Sequence, residues 1–158
     1  MALSIYYRQC MITRLNNTDN NCKKLTRYLC DVNKDFEIPL SNKVNLTVYS
    51  QKLLTYGIVL VSINGDIISG LLAGYCNDAE NGNAIISLLS VKKEFRGRGI
   101  SRLLIKKMIS ECKKAGMKSI LVDSVNPIAV TAYASMGFII DSIESIGISN
   151  KTFLHFQL

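Results

Sequence analysis

The sequence predicts an α/β domain in which helices alternate with the strands of a mixed sheet. Three observations predict it. Two-residue and helical apolar periodicities alternate along the chain. A hairpin signal, Asn64-Gly65, sits between two apolar strands, Ile58–Ile63 and Ile67–Tyr75. An apolar run, Ile85, Ile86, Leu88, Leu89 and Val91, passes through a glycine- and arginine-rich turn into a helical pattern.

Taken in order, the chain opens on a short strand around Ile5–Arg14. A helix follows over Asn21–Val32, with Cys22, Leu25, Leu29 and Val32 on one face. Residues 33–44 form a loop around Phe36-Glu37-Ile38-Pro39-Leu40. Asn45 caps a second helix over Leu46–Tyr56 that turns Leu46, Tyr49, Leu53 and Tyr56 inward and ends at Gly57. After the hairpin, a polar turn at Asp78–Gly82 leads into a strand at 83–91. In the helix that follows, Ile100, Leu104, Met108 and Cys112 recur at four-residue intervals, and Gly116 is its stop. A strand at 119–125, a helix at 127–136 opened by Asn126 and Pro127, a strand at 138–143 and a last strand near 151–158 complete the order β-α-α-β-β-β-α-β-α-β-β.

At 158 residues the chain is expected to be one domain with room for a core. Apolar residues make up 48% of it, which excludes a disordered chain. Its apolar stretches are too short to span a bilayer, and its first twenty residues lack the apolar segment of a signal peptide. The five cysteines (10, 22, 30, 76 and 112) are odd in number and show no C-x-x-C spacing. They read as reduced thiols of a cytoplasmic protein. A single histidine, His155, argues against a zinc site of the Cys/His type, and no metal is expected. The net charge of +7 suits nucleic acid. Yet no aromatic strand platform or C-x-x-C finger accompanies it, so no nucleic-acid partner is expected. Much of the excess charge falls at 92–118, where it would draw in a phosphorylated ligand.

That segment carries the chemistry. Residues 91–104 read Val-Lys-Lys-Glu-Phe-Arg-Gly-Arg-Gly-Ile-Ser-Arg-Leu-Leu. The turn presents the first-turn N–H groups of a helix, which have no partner inside it and which, with the helix dipole, attract anions. Gly97 and Gly99 allow close backbone approach, and Arg96 and Arg98 add donors suited to phosphate oxygens. Arg102 stands where a dinucleotide fingerprint needs a third glycine, and no Gly-x-x-x-x-Gly-Lys-Ser/Thr loop occurs. An ordinary strand-to-helix turn with surface arginines fits the same residues. Residues 126–138 read Asn-Pro-Ile-Ala-Val-Thr-Ala-Tyr-Ala-Ser-Met-Gly-Phe, a short capped helix with a lone tyrosine that is either scaffold or part of a site.

Together the two segments resemble the acyl-CoA-binding core of the GNAT acetyltransferase superfamily. That family's pattern is Arg or Gln-x-x-Gly-x-Gly or Ala, a strand, then Asn-x-x-Ala-x-x-x-Tyr-x-x-x-Gly-Phe. Arg96 and Gly99 match its first part; Asn126, Ala129, Tyr133, Gly137 and Phe138 match its second. Ser101 departs from the usual Gly or Ala. The match covers about residues 57–140.

The resemblance implies one GNAT-like N-acetyltransferase domain over 1–158. Its sheet would be mixed, mostly antiparallel, with about six to seven strands and about four flanking helices. The strands at 83–91 and 119–125 would splay so that pantetheine lies between them. It implies acetyl-CoA as acyl donor and direct transfer in a ternary complex to a small-molecule amine or a peptide N-terminus, with no membrane partner and with a homodimer compatible. Arg96, Gly97, Arg98, Gly99, Ile100 and Ser101 would hold the diphosphate. Leu89 N–H would face the thioester oxygen, Val91 would pair with pantetheine and Asn126 would bond it. Tyr133 would lie near the sulfur and protonate the leaving thiolate. The strand at 83–91 has no carboxylate to act as base; Asp123, Asp78 and Glu80 are substitutes. That absence also fits a non-catalytic acyl-CoA-binding module.

Overall fold

Seven strands and four helices follow one another in the expected order in the computed structural model, which describes residues 10–158. Strand β1 is Met11–Arg14; residues 5–9 of the expected first strand lie outside the described residues. Helix α1 (Asp19–Val32) starts two residues earlier than the periodicity suggests, because Thr18 Oγ1 accepts the Asn21 N–H at 3.1 Å and so caps it. Its buried face is the expected stripe plus Tyr28. The loop after it contains two short 3₁₀ turns, Asn33–Asp35 and Leu40–Asn42. Helix α2 (Leu46–Tyr56) is capped as expected by Asn45, whose Oδ1 accepts the Val48 N–H at 3.0 Å. Tyr56 is not inward but 65% exposed. At 3.6 residues per turn it lies about 110° round from the centre of the buried Ser50, Leu53 and Leu54.

Strands β2 (Ile58–Asn64) and β3 (Ile67–Tyr75) form the hairpin, but its two-residue loop is Gly65-Asp66, one place later than expected. Gly65, with φ +64, is the first loop residue, where a type II′ turn needs a positive φ. Next come β4 (Asn83–Val91), α3 (Ile100–Lys114), β5 (Ser119–Ser124) and α4 (Pro127–Ser135). The last two strands, β6 (Ile139–Ile146) and β7 (Ser149–Gln157), are longer than the sequence suggests. They meet in a second two-residue loop at Gly147-Ile148, again with a positive φ at the glycine. A bulge between Ile140 and Ser142 frees Asp141, whose Oδ1 lies 2.7 Å from Nδ1 of the lone histidine, His155.

The strands form one seven-stranded sheet in the order β1-β2-β3-β4-β5-β7-β6. Every neighbouring pair is antiparallel except β4–β5. Helices α1 and α2 cover one face, where Leu25, Leu29, Leu53, Val61 and Leu71 are buried. On the other face α3 and α4 bury Leu60, Leu72, Leu104, Met108, Ile120 and Tyr133. No helix among the described residues is long and apolar enough to cross a membrane.

Helix α3 lies close on β3 because two glycines face it. A Cβ on Gly70 would come within 2.8 Å of Ile100 Cγ2. One on Gly74 would run into the Ile85 carbonyl oxygen and reach 2.8 Å from Met108 Cε. Since the Ile85 obstacle is backbone, it cannot rotate aside. Gly74→Ala is therefore expected to lower unfolding stability by about 1–3 kcal/mol, the usual cost of overpacking. The urea midpoint checks it; an unchanged midpoint would mean that the sheet gives way freely there.

Candidate functional site

The site begins where the sheet stops being a sheet. Strands β4 and β5 pair over only three positions, Asn83↔Ser119 to Ile85↔Leu121. Beyond Ile85 they diverge, as the resemblance implied. On its other edge β4 stays paired to β3 through Gly70↔Val91, and just past it Lys92 N–H bonds Ser69 C=O at 2.9 Å. Antiparallel ladders alternate, so Leu88 and Ser90 direct their backbone groups at β3 while Leu89 and Val91 direct theirs away from it. The Leu89 N–H and C=O and the Val91 N–H thus face the gap. The Val91 C=O accepts Arg96 Nε at 3.0 Å. An extended ligand with amides can complete such an edge as an added strand would.

At the end of the gap stands the glycine-arginine turn. Gly97 and Gly99 both have φ +77, and Gly99 is the N-cap of α3. The first backbone bond of the helix runs from Leu103 N–H to Gly99 C=O at 3.2 Å. Among the described residues, the N–H groups of Gly97, Arg98, Gly99, Ile100, Ser101 and Arg102 have no hydrogen-bond partner. Consecutive free N–H groups at a helix N-terminus make a concave anion site. A Cβ on Gly97 or Gly99 would meet nothing within 4 Å, so there is room in front of them.

Both arginine side chains have contacts within the chain. Arg96 pairs with Asp35 at 3.3 Å as well as holding Val91 C=O. Arg98 lies over the Phe95 ring at 5.2 Å and reaches Glu94 C=O at 3.4 Å. The Ile100 side chain is core, which leaves its N–H as its contribution to the cradle.

Helix α4 follows β5 and supplies the opposite wall. Asn126 caps it, its Oδ1 accepting the Ile128 N–H at 3.0 Å; its Nδ2 has no partner among the described residues. Tyr133 is buried in the same cluster as Ile86, Val91 and Ile100, its ring 5.2 Å from that of Phe138. Among the described residues its hydroxyl has no hydrogen-bond partner. Burial, with the charge of Asp123 adding to it, holds the Tyr133 proton more tightly than an ordinary phenol does. Of the suggested bases, Asp123 pairs with Lys151 at 3.2 Å, and Asp78 accepts the Asn81 N–H at 3.0 Å within its turn. Glu80 is exposed.

The sequence reading did not single out Tyr28. Its hydroxyl donates to Ser90 C=O at 3.1 Å and lies 3.2 Å from Ser90 Oγ, beside Leu89. Lys92 sits over its ring at 5.6 Å and pairs with Asp31 at 3.2 Å. The Tyr28 position, three residues after Leu25 on the same helix face, was the available signal. The α1–α2 loop also reaches the β6–β7 hairpin, where Ser149 donates to a Glu37 carboxylate oxygen.

A splayed β4–β5 pair, a helix N-terminus of free N–H groups and a capped helix with a buried tyrosine make up the candidate site. The family model described as Acetyltransferase (GNAT) domain matches residues 45–149, well over half the chain. The chain belongs to the GNAT acetyltransferase family. Solved structures agree on the fold. A GNAT-family acetyltransferase from Streptococcus pneumoniae is 14% identical with a TM-score of 0.79, over 95% of this chain and 99% of that one. An aminoglycoside 6′-N-acetyltransferase complexed with coenzyme A is 11% identical with a TM-score of 0.76, over 93% and 96%. YncA of Salmonella typhimurium, with its cofactor acetyl-CoA, is 19% identical with a TM-score of 0.68, over 94% and 93%. At these identities the likeness is one of fold. No curated protein sequence matches this chain.

Proposed function

We propose that this GNAT domain, extending over residues 1–158, transfers an acetyl group from acetyl-CoA to an amine, a small molecule or a peptide N-terminus. The observation that carries the reading is the run of six unpartnered N–H groups at Gly97–Arg102, opening onto free space at the end of the β4–β5 gap. It fits a diphosphate. Bound there, acetyl-CoA would supply an activated acyl thioester. Residues Arg96 to Ser101 hold the diphosphate, chiefly through backbone donors. The Val91 N–H and Asn126 Nδ2 pair with the pantetheine amides. The Leu89 N–H donates to the carbonyl oxygen as negative charge grows on it, the role of an oxyanion donor. Tyr133 keeps its proton near neutral pH and gives it to the departing sulfur. Strand β4 carries no carboxylate, so in this reading the proton of the amine passes to solvent. The aminoglycoside acetyltransferase among the similar structures supports an amine acceptor. The α1–α2 loop, tied to Arg96 through Asp35 and to the β6–β7 hairpin through Glu37, is the element that would shape the acceptor side.

The reading includes a cytoplasmic setting, supported by five free thiols. It also includes a homodimer through β6. That strand ends the sheet, and all eight of its residues are exposed. It lacks the lysine or proline that commonly blunts a free edge. Ile139, Ile140, Ile143, Ile146 and Ile148 are each 47% exposed or more. Ile140 and Ile143 lie on one face of the sheet and Ile139 and Ile146 on the other, so apolar side chains flank the free edge on both sides.

Acetyl-CoA consumption assayed against a panel of amines is the direct test. Binding without turnover on any amine or peptide would instead support the acyl-CoA-binding module, which the missing carboxylate on β4 favours. Gly99→Val places a branched side chain in the open space of the cradle, at a φ that costs about 1–2 kcal/mol for an L residue. Calorimetric affinity for coenzyme A should fall at least tenfold while circular dichroism still reports the fold. Retained affinity would make the turn merely structural.

Tyr133→Phe keeps the buried ring and removes only the hydroxyl. Single-turnover rates should drop, by up to about 10²–10⁴-fold for a lost general acid, with coenzyme A binding unchanged. An unaltered rate would take Tyr133 out of the chemistry. For the dimer, Ile143→Lys should convert a two-chain species to one chain by light scattering. A wild-type protein that is monomeric at tens of micromolar would dispose of the interface.

A further inference from the structure

Two cysteines stand outside the site. Cys76 follows β3, and Cys112 lies in the last turns of α3, their sulfurs 3.1 Å apart. The two differ in access. Cys112 is fully buried, whereas Cys76 is partly exposed and lines a cavity of about 340 Å³ with Arg14, Tyr56, Asn77, Glu111 and Lys114. Helix α3 separates this cavity from the cradle. Twelve residues from Ile100 to Cys112 span about 18 Å at 1.5 Å per residue.

The surroundings favour charge on one sulfur. The bond with the Cys112 thiol holds Cys76 below the ordinary thiol range; burial and Glu111 oppose this, and Arg14 assists it. Glu111 is itself offset by Arg14 at 3.0 Å, Lys107 at 3.3 Å and Lys114 at 4.0 Å. The same bond and burial push Cys112 up. Thiolates, not thiols, attack disulfides, and a lowered, reachable sulfur next to a hidden second one is the arrangement such exchange requires.

We propose that Cys76 and Cys112 form a thiol–disulfide exchange site, with Cys76 the attacking sulfur, Cys112 the resolving one, and a small carboxylate-bearing disulfide such as oxidised glutathione as reactant. The Cys76 thiolate bonds to one glutathione sulfur, and the other glutathione leaves as a thiolate that takes up a proton. The Cys112 sulfur, giving its proton to solvent, then attacks Cys76 Sγ and displaces the second glutathione. Two electrons pass from the cysteine pair to the reagent, whose S–S bond is reduced to two thiols. The sulfurs must close by about 1 Å to bonding distance. Arg14 and Lys114 at the cavity supply cations for the carboxylates of the reagent. No step uses the gap or the cradle.

The test incubates the full-length protein with oxidised glutathione, then denatures and alkylates it and weighs it intact. Wild type should lose the mass of two hydrogens and take up three alkyl groups where the reduced protein takes five. Peptide mapping should find Cys76 joined to Cys112. In Cys112→Ser the reaction should stop with one glutathione on Cys76. In Cys76→Ser neither the cross-link nor glutathione on Cys112 should form. Five alkylated cysteines in treated wild type, a cross-link between other cysteines, or modification confined to the exposed Cys30 would each overturn the proposal.

Discussion

The candidate site depends on one loss: β4 gives up its hydrogen-bonded neighbour after Ile85. A strand inside a sheet normally has both edges paired, and an unpaired backbone group held away from water is costly. Residues 86–91 keep only the β3 edge. Val91, Ile100 and Leu104 from the β4–α3 side and Val122, Tyr133 and Phe138 from the β5–α4 side belong to one buried cluster, the one that seats α3 and α4. Burying each such side chain contributes about 1.5–3 kcal/mol. The strand that displays the Leu89 and Val91 backbone groups is anchored in the core through Val91 and has no positive φ among its residues.

On the opposite face the same strand is fixed by polar contacts. Tyr28 bonds Ser90, Lys92 pairs with Asp31, and Arg96 pairs with Asp35. They are not equal in weight. In both ion pairs the carboxylate is well exposed, and such pairs contribute about 0–1 kcal/mol each. The Tyr28 hydroxyl is buried, and losing its partner would leave an unsatisfied group at a cost of about 1–3 kcal/mol. Tyr28 is thus the contact that sets where the exit of β4 lies relative to α1, with the ion pairs trimming the loop that follows.

Most of the fold was legible because its signals are local. Asn45 and Asn126 cap helices by side-chain geometry that acts over two or three residues, and the α3 stripe repeats the same spacing from Ile100 to Cys112. The glycine turn was legible for the same reason. The misses are of a different kind. Tyr56 ends a short stripe on which a small angular drift decides exposure. The hairpin loop falls at Gly65-Asp66 because strand register, not the dipeptide, chooses which residue takes the positive φ. The partners of Arg96, a carboxylate 61 positions earlier in the chain, and of Tyr28, a strand 62 positions later, are set by tertiary placement that no window of sequence contains.

The fate of the arginines changes how the positive charge of the chain acts. The sequence shows Arg96 and Arg98 as charge and donors suited to phosphate oxygens beside a turn of backbone N–H groups. In the structure one is neutralised by Asp35, and the other lies along Phe95 and Glu94 C=O. The partnerless donors are backbone N–H groups whose direction is fixed by the start of α3, so no side-chain freedom is lost when an anion arrives. The net charge of +7 is then left with a different task. Over distances near the Debye length of about 8–10 Å it raises the local concentration of an anionic ligand, and it weakens with salt. Contact strength from fixed amides is screened far less. In the proposed function, attraction and grip thus come from separate parts of one segment, the lysine-rich face of α3 and the glycine turn at its start.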